Sequence, residues 1–247
     1  NPIVFSEDLL GTSGIVTIDA GTSTVALGNA AADGDLVNVN NLTVNGDTSI
    51  TLNLLSATTV NGQTYNDAVT LGTDEANTTF TTGGALTFAS TVDGGQDIVL
   101  ANSGLATFTG AVGGGTAIGD GTDAAITFNG IGQTLFSSTV NTASGVTQAG
   151  TAGNITFTNG VTLQAGNVGS TFNGDVTLDS TAGALVFLSD GTLTLGSDGT
   201  DQVTLTNGGG ANGITIRTNN AGDTLTVNSA VDGAVDLTLD NADAATF

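Results

Sequence analysis

Residues Leu86 to Phe108 read LTFASTVDGGQDIVLANSGLATF, and the last residues of the chain, Leu225 to Phe247, read LTVNSAVDGAVDLTLDNADAATF. The two align without a gap and agree at twelve of 23 positions, among them Val92-Asp93-Gly94 with Val231-Asp232-Gly233 and the closing Ala-Thr-Phe. A copy this long in so plain a sequence marks a chain built by repeating a short unit, as solenoids, propellers and arrays are.

Around this stretch the chain repeats a smaller pattern: an apolar residue, usually threonine, and another apolar residue, set between Gly, Asn or Asp turns. Val16-Thr17-Ile18, Leu42-Thr43-Val44, Val69-Thr70-Leu71, Ile126-Thr127-Phe128, Val176-Thr177-Leu178 and Leu237-Thr238-Leu239 are examples. In an extended strand neighbouring side chains point to opposite faces, so the apolar pair enters a core and the threonine faces out. β-Branched and aromatic residues favour strands, and Gly, Asn and Asp supply the left-handed or Asx conformations of turns.

The central threonines lie about 8 to 12 residues apart. The offset between the long copies divides into about seven units of ~20 residues, a period proper to stacked coils. The expected fold is all-β: a parallel β-solenoid (β-helix) with roughly 20-residue coils of two or three strands, each burying its apolar side on its neighbours. At that period the chain makes about 12 coils, and at ~4.8 Å per rung a rod about 60 Å long. The alternative is a tandem β-sandwich, which strands at this spacing also suit. Against it, the chain has no Trp or Cys, and near-identical cassettes recur at unequal positions, as DGTDAAITFNG (Asp120 to Gly130) and DGTDQVTLTNG (Asp198 to Gly208). Residues 1–10 form an amino-terminal strand and subunit joint, with Ile3, Val4 and Phe5 read as a contiguous buried strand edge, and residues 11–247 form one continuous repeat body.

Composition narrows the function. Across 247 residues there are 23 Asp and Glu against one basic residue, Arg217, for a formal net charge of -22. Nucleic acid and anionic lipid surfaces require Lys and Arg, so neither is expected as a partner. Without Cys or His there is no disulfide, no thiolate chemistry and no zinc site. No apolar run approaches the ~20 residues that span a bilayer, so direct membrane insertion is not expected. Asn1 opens the chain without a basic-then-apolar segment, so a secretion signal, on this reading, has been removed or lies outside these residues. Abundant Thr, Asn, Gly and Asp suit a secreted, extracellular or cell-surface bacterial protein.

The stretch NGQTYNDAVTLGTDEANTTFTTGGALTFASTVDGGQDIVLANSGLATFTGAVGG, Asn61 to Gly114, resembles the repeats of very large secreted adhesins of diderm bacteria, the filamentous-haemagglutinin-like and autotransporter passenger proteins. The resemblance is strongest over Asn61 to Gly130 and continues in style to Phe247. It implies a right-handed parallel β-helix, export across the outer membrane, and a role in adhesion, biofilm or surface fibres. Motifs this degenerate specify architecture better than they specify a ligand.

Histidine, lysine and cysteine, the usual acids, bases and nucleophiles, are absent. Paired carboxylates alone could serve a glycosidase, yet the aspartates mostly sit beside glycine in turns, and no enzyme activity or cofactor is expected. The two Asp-Gly-Thr-Asp turns, with Asp120, Asp123, Asp198 and Asp201, are the metal candidates, since carboxylates grouped with carbonyls suit extracellular calcium. Plain turns whose aspartates cap local amides are the competing reading, and neither turn matches an EF-hand or the nonapeptide calcium roll.

Thr-x-Thr triplets at Thr107-Phe108-Thr109, Thr156-Phe157-Thr158, Thr192-Leu193-Thr194 and Thr204-Leu205-Thr206 raise an ice-binding β-solenoid as an alternative, their irregular spacing arguing against a flat lattice. At the ends, an uncapped solenoid exposes strand edges that recruit strands. Ile3, Val4 and Phe5 are expected to add to the Leu237, Leu239 and Phe247 end of a preceding copy. Such a head-to-tail contact propagates into a filament. The expected function is therefore a structural subunit or stalk segment of an extracellular fibre serving adhesion or biofilm cohesion, with copies of itself and surface carbohydrate as partners. The remaining alternative is an excised fragment of a giant adhesin with no self-assembly.

Overall fold

Each apolar-Thr-apolar triplet is a short strand. Val69–Leu71, Leu86–Phe88, Ile126–Phe128 and Val161–Leu163 bury their two outer side chains and turn the threonine outward. The computed structural model describes residues 1–7, 9–11, 14–28, 35–72, 77–150, 152–164, 168–241 and 244–247. Among them there is no helix, and the paired strands run parallel. The chain deals its strands to three faces in rotation: Ile3–Phe5 to a first, Leu9–Leu10 to a second, Ile15–Asp19 to a third, and Val25–Gly28 to the first again. Eleven strands build the second face and ten the third. The first is two five-stranded sheets joined through single bridges at Val92, Val112 and Val140. The fold is a parallel β-solenoid of about ten turns, roughly 50 Å long at ~4.8 Å per rung. A sandwich of antiparallel hairpins is excluded.

The turns are longer than the 20-residue estimate. Down the first face the stacked positions include Val25, Ile50, Val69, Val92, Val112 and Val140, and then Val161, Phe187, Ile216 and Leu239. Their separation varies from 19 residues, Ile50 to Val69, to 29, Phe187 to Ile216. The strands stay short, between 2 and 6 residues, and the corners absorb most of the difference, which is why threonine spacing alone underestimated the period and gave 12 coils.

The core is ordered by register. Tyr65, Phe88, Phe108, Phe136 and Phe157 follow one another on the third face. Their rings stack at centroid separations of 5.0, 4.8, 4.8 and 5.1 Å, within 18° of parallel. That spacing is the rung repeat itself, so rings and backbone hydrogen bonds share one period. Phe80, Phe128 and Phe172, from the second face, meet this stack edge-on, the geometry that ring quadrupoles favour. The buried Tyr65 hydroxyl donates to Gln63 Oε1 at 3.1 Å, and Gln63 Nε2 donates to the Ala57 carbonyl at 2.8 Å, so these polar groups enter the core paired.

Some glycines work differently from the left-handed turn role expected of them. Gly84, Gly104, Gly132 and Gly153 occupy the corner between the second and third faces without a positive φ. A Cβ at any of the four would sit on backbone atoms of the preceding rung, closer than real Cβ atoms sit. They permit rungs to stack tightly where the chain bends. Gly94 and Gly233, with φ of 134° and 149°, do need glycine's conformational freedom.

The long duplication is out of phase with the solenoid. Leu86–Phe88 lies on the third face, whereas its counterpart falls in Thr224–Val227 on the second. Asp97–Asn102 is on the second face and its counterpart, Leu237–Asn241, on the first. The copies are five turns and two further faces apart, not seven units. At the amino end, Ile3 and Phe5 pack partly against the core while Val4 is 61% exposed. The segment alternates, contrary to its reading as a contiguous buried edge, because only one side of a strand faces this core.

Three substitutions test this packing by chemical denaturation. Phe108→Ala, which opens a gap in the ring stack, is expected to cost about 3–5 kcal/mol. Gly132→Ala should destabilise strongly, whereas Gly95→Ala, where an added Cβ meets nothing within 4 Å, should leave the midpoint close to the parent. Equal effects at the two glycines would contradict the close-stacking role.

Candidate functional site

The two Asp-Gly-Thr-Asp turns land at different corners of the solenoid. Asp120 to Asp123 precede Ile126–Phe128 on the second face, and Asp198 to Asp201 lie between Leu193–Leu195 on the second and Gln202–Thr206 on the third. Identical turn chemistry closes both. Asp120 Oδ1 accepts from the Thr122 amide at 2.7 Å and hydroxyl at 2.5 Å. Asp198 Oδ1 accepts from the Thr200 amide at 2.8 Å and hydroxyl at 2.6 Å. These bonds hold both carboxyls below the usual carboxylate range. Asp201 Oδ2 accepts from the Ser197 amide and hydroxyl at 2.6 and 2.8 Å. The fold does not bring the two turns together, and among the described residues no group of three or more His, Cys, Asp or Glu is arranged to hold a metal.

The residue that sequence reasoning missed is Asp97. It opens the strand Asp97–Asn102 with 6% of its surface exposed, and its Oδ1 accepts from the Asp120 amide at 3.4 Å. In the preceding strand of the same turn, on the first face, Asp93 Oδ1 accepts from the amides of Gly115 and Thr116 at 2.6 and 3.1 Å. Together they pin the excursion of residues 113–123, where the first face breaks into two sheets. Burial first, then repulsion from Asp120 and Asp123, pushes the Asp97 carboxyl up to about 6. No sequence motif announces this: Asp97 looks like any turn aspartate until the next rung covers it.

The proposed joint residues occupy both ends of the stack. Ile3 and Phe5 pair with Val25 and Leu27 in the first rung. Leu237 and Leu239 pair with Ile214 and Ile216 in the last strand of that face. Leu239 and Phe247 are 37% and 72% exposed, since no further rung of the described stack covers them.

Threonine forms two outward rows. On the third face Thr17, Thr43, Thr64, Thr87 and Thr107 stack in register, then Leu135, then Thr156, Thr177 and Thr204. On the second, Thr127, Thr147, Thr171, Thr194, Thr226 and Thr246 are consecutive. The Thr-x-Thr triplets do not pair these rows into a lattice. Thr192-Leu193-Thr194 is on the second face and the other three triplets are on the third. There the neighbouring column that holds Thr109, Thr158 and Thr206 also carries Ser137 and Asp179.

The described surface has no pocket. Arg217, the one basic side chain, forms an exposed pair with Asp240, Nε to Oδ2 3.2 Å. Compared with known proteins, the chain matches no protein-family model, no curated protein and no solved structure.

Asp97 gives a pH prediction. Its folded pKa lies above the ordinary 3.8, so between about pH 4 and 6 the folded chain binds more protons than the unfolded chain, and this carboxyl's contribution to stability falls as pH rises. Asp97→Asn should melt at a higher temperature than the parent at about pH 7.5, with the difference vanishing near pH 4. A pH-independent difference in thermal melts would remove the assignment.

Proposed function

We propose that this chain is a non-enzymatic structural segment of a secreted bacterial extracellular fibre, joined end to end through its solenoid rungs and serving adhesion or biofilm cohesion. The observation that carries this reading is the single apolar cluster that runs along the stack from Ile18 to Val227, with Ile3, Phe5, Val235 and Leu237 packed partly against it in the outer rungs. Parallel rungs offer backbone donors and acceptors along the stack axis, so a copy added in register satisfies both its own edge and the edge it meets. Such a contact is heterologous and propagates.

Charge supports the same role. Acidic residues concentrate at corners, as Asp47, Asp67, Asp120, Asp198 and Asp223 do, and with net charge -22 they keep neighbouring rods apart at low salt. The resemblance of Asn61 to Gly130 to adhesin repeats points the same way.

Negative-stain microscopy of the purified chain tests the proposal. Long unbranched filaments are expected, and removing Asn1 to Leu10, which deletes the first strands of two faces, should leave single rods about 50 Å long. Filaments unaffected by that truncation would sink the proposed joint.

A further inference from the structure

From Asn41–Asn45 to Ile155–Phe157, six consecutive strands of the third face and the residues flanking them carry no Asp, Glu, Lys or Arg at any outward position. In a chain with 23 acidic residues this is a bounded window. Asp19 closes it at one end, Asp175 and Asp179 at the other, and Asp47 and Asp67 mark one corner of its first rungs. It extends about 25 Å along the stack at ~4.8 Å per rung. The second-face threonine row has no such margin, since Asp123, Asp198 and Asp223 crowd its corners.

Within the window Thr43, Thr64, Thr87 and Thr107 are in register on four successive rungs. Their hydroxyls have no protein partner among the described residues, whereas Asn66 Nδ2 alongside donates to Asn45 Oδ1 at 2.6 Å. The inward neighbours of this row include the ring stack of Tyr65, Phe88 and Phe108, so its period is fixed from beneath. Threonine is stiff at χ1 and loses little freedom on binding. Each hydroxyl both donates and accepts. Leu105, 44% exposed, stands beside the row as an apolar contact.

We propose that this window is a binding surface for an uncharged polysaccharide laid along the solenoid axis. A row of free hydroxyls at one spacing fits a polymer of regularly spaced hydroxyls. Interspersed apolar side chains receive the C–H faces of sugar rings. An anionic polymer is repelled by the field of the whole chain, and a cationic one is drawn to the aspartate corners instead. The window lies on the side of the rod, so binding there is independent of whether copies join end to end.

The full chain, incubated with suspensions of cellulose, chitin and mannan, tests this. Co-sedimentation with at least one is expected, unchanged between about 50 and 500 mM salt because no counterions are released. Thr64→Val, Thr87→Val and Thr107→Val together, which keep β-branching and remove the hydroxyls, should weaken binding about tenfold or more. Thr51→Val with Thr70→Val on the first face should not. Unchanged thermal melts verify that each variant is folded. Binding to none of the three polysaccharides, loss of binding in salt, or unaltered binding by the triple variant would overturn the proposal. So would sedimentation showing that the triple variant abolishes lateral pairing of two copies, because the window would then be a self-contact.

Discussion

Every part of this molecule depends on one requirement, that each rung lie in register on the one before it. Parallel pairing leaves each strand's amides and carbonyls pointing along the stack, where only a neighbouring rung can satisfy them. Register then sorts the side chains: ring over ring from Tyr65 to Phe157, aliphatic over aliphatic on the first face from Val25 to Val161, threonine over threonine outside. Corners vary in length because they stand outside this alignment. Where a long corner does intrude, at residues 113–123, the first face is reduced to single bridges, and Asp93 and Asp97 hold the excursion in place.

The strands were legible in the sequence because their signal is local. A triplet such as Leu86-Thr87-Phe88 states its own orientation, and enough of them in series imply a solenoid. Coil length was not legible, because it depends on corners whose residues carry no periodicity. Nor was face identity: DGTDAAITFNG places its triplet on the second face and DGTDQVTLTNG on the third, so near-identical words occupy different walls. Gly132 and Gly153 were recognisable as bends but not as points of close approach, a property of the rung beneath and not of the segment itself.

The sites follow the same division. The caps made by Asp120 and Asp198 could be anticipated from Asp-Gly-Thr-Asp alone, since donors and acceptor lie within four residues. The burial of Asp97 could not, because its partners come from the following turn. The charge-free window is an arrangement across six turns, and linear reading scatters its members among acidic neighbours. With no pocket and no metal-holding carboxylate group among the described residues, the long regular sides are the broadest surfaces this architecture offers.

The displaced duplication has a bearing on how such a chain can grow. Because Leu86 to Phe108 and its copy lie on different walls, the repeated pattern is not tied to one face, and its smallest unit is a third of a turn: one strand with its corner. Recombination at any corner could therefore lengthen or shorten the gene without regard to frame around the axis, and everything downstream would simply swivel while its interior stayed continuous. Lineages of such proteins should vary freely in length and preserve their cross-section.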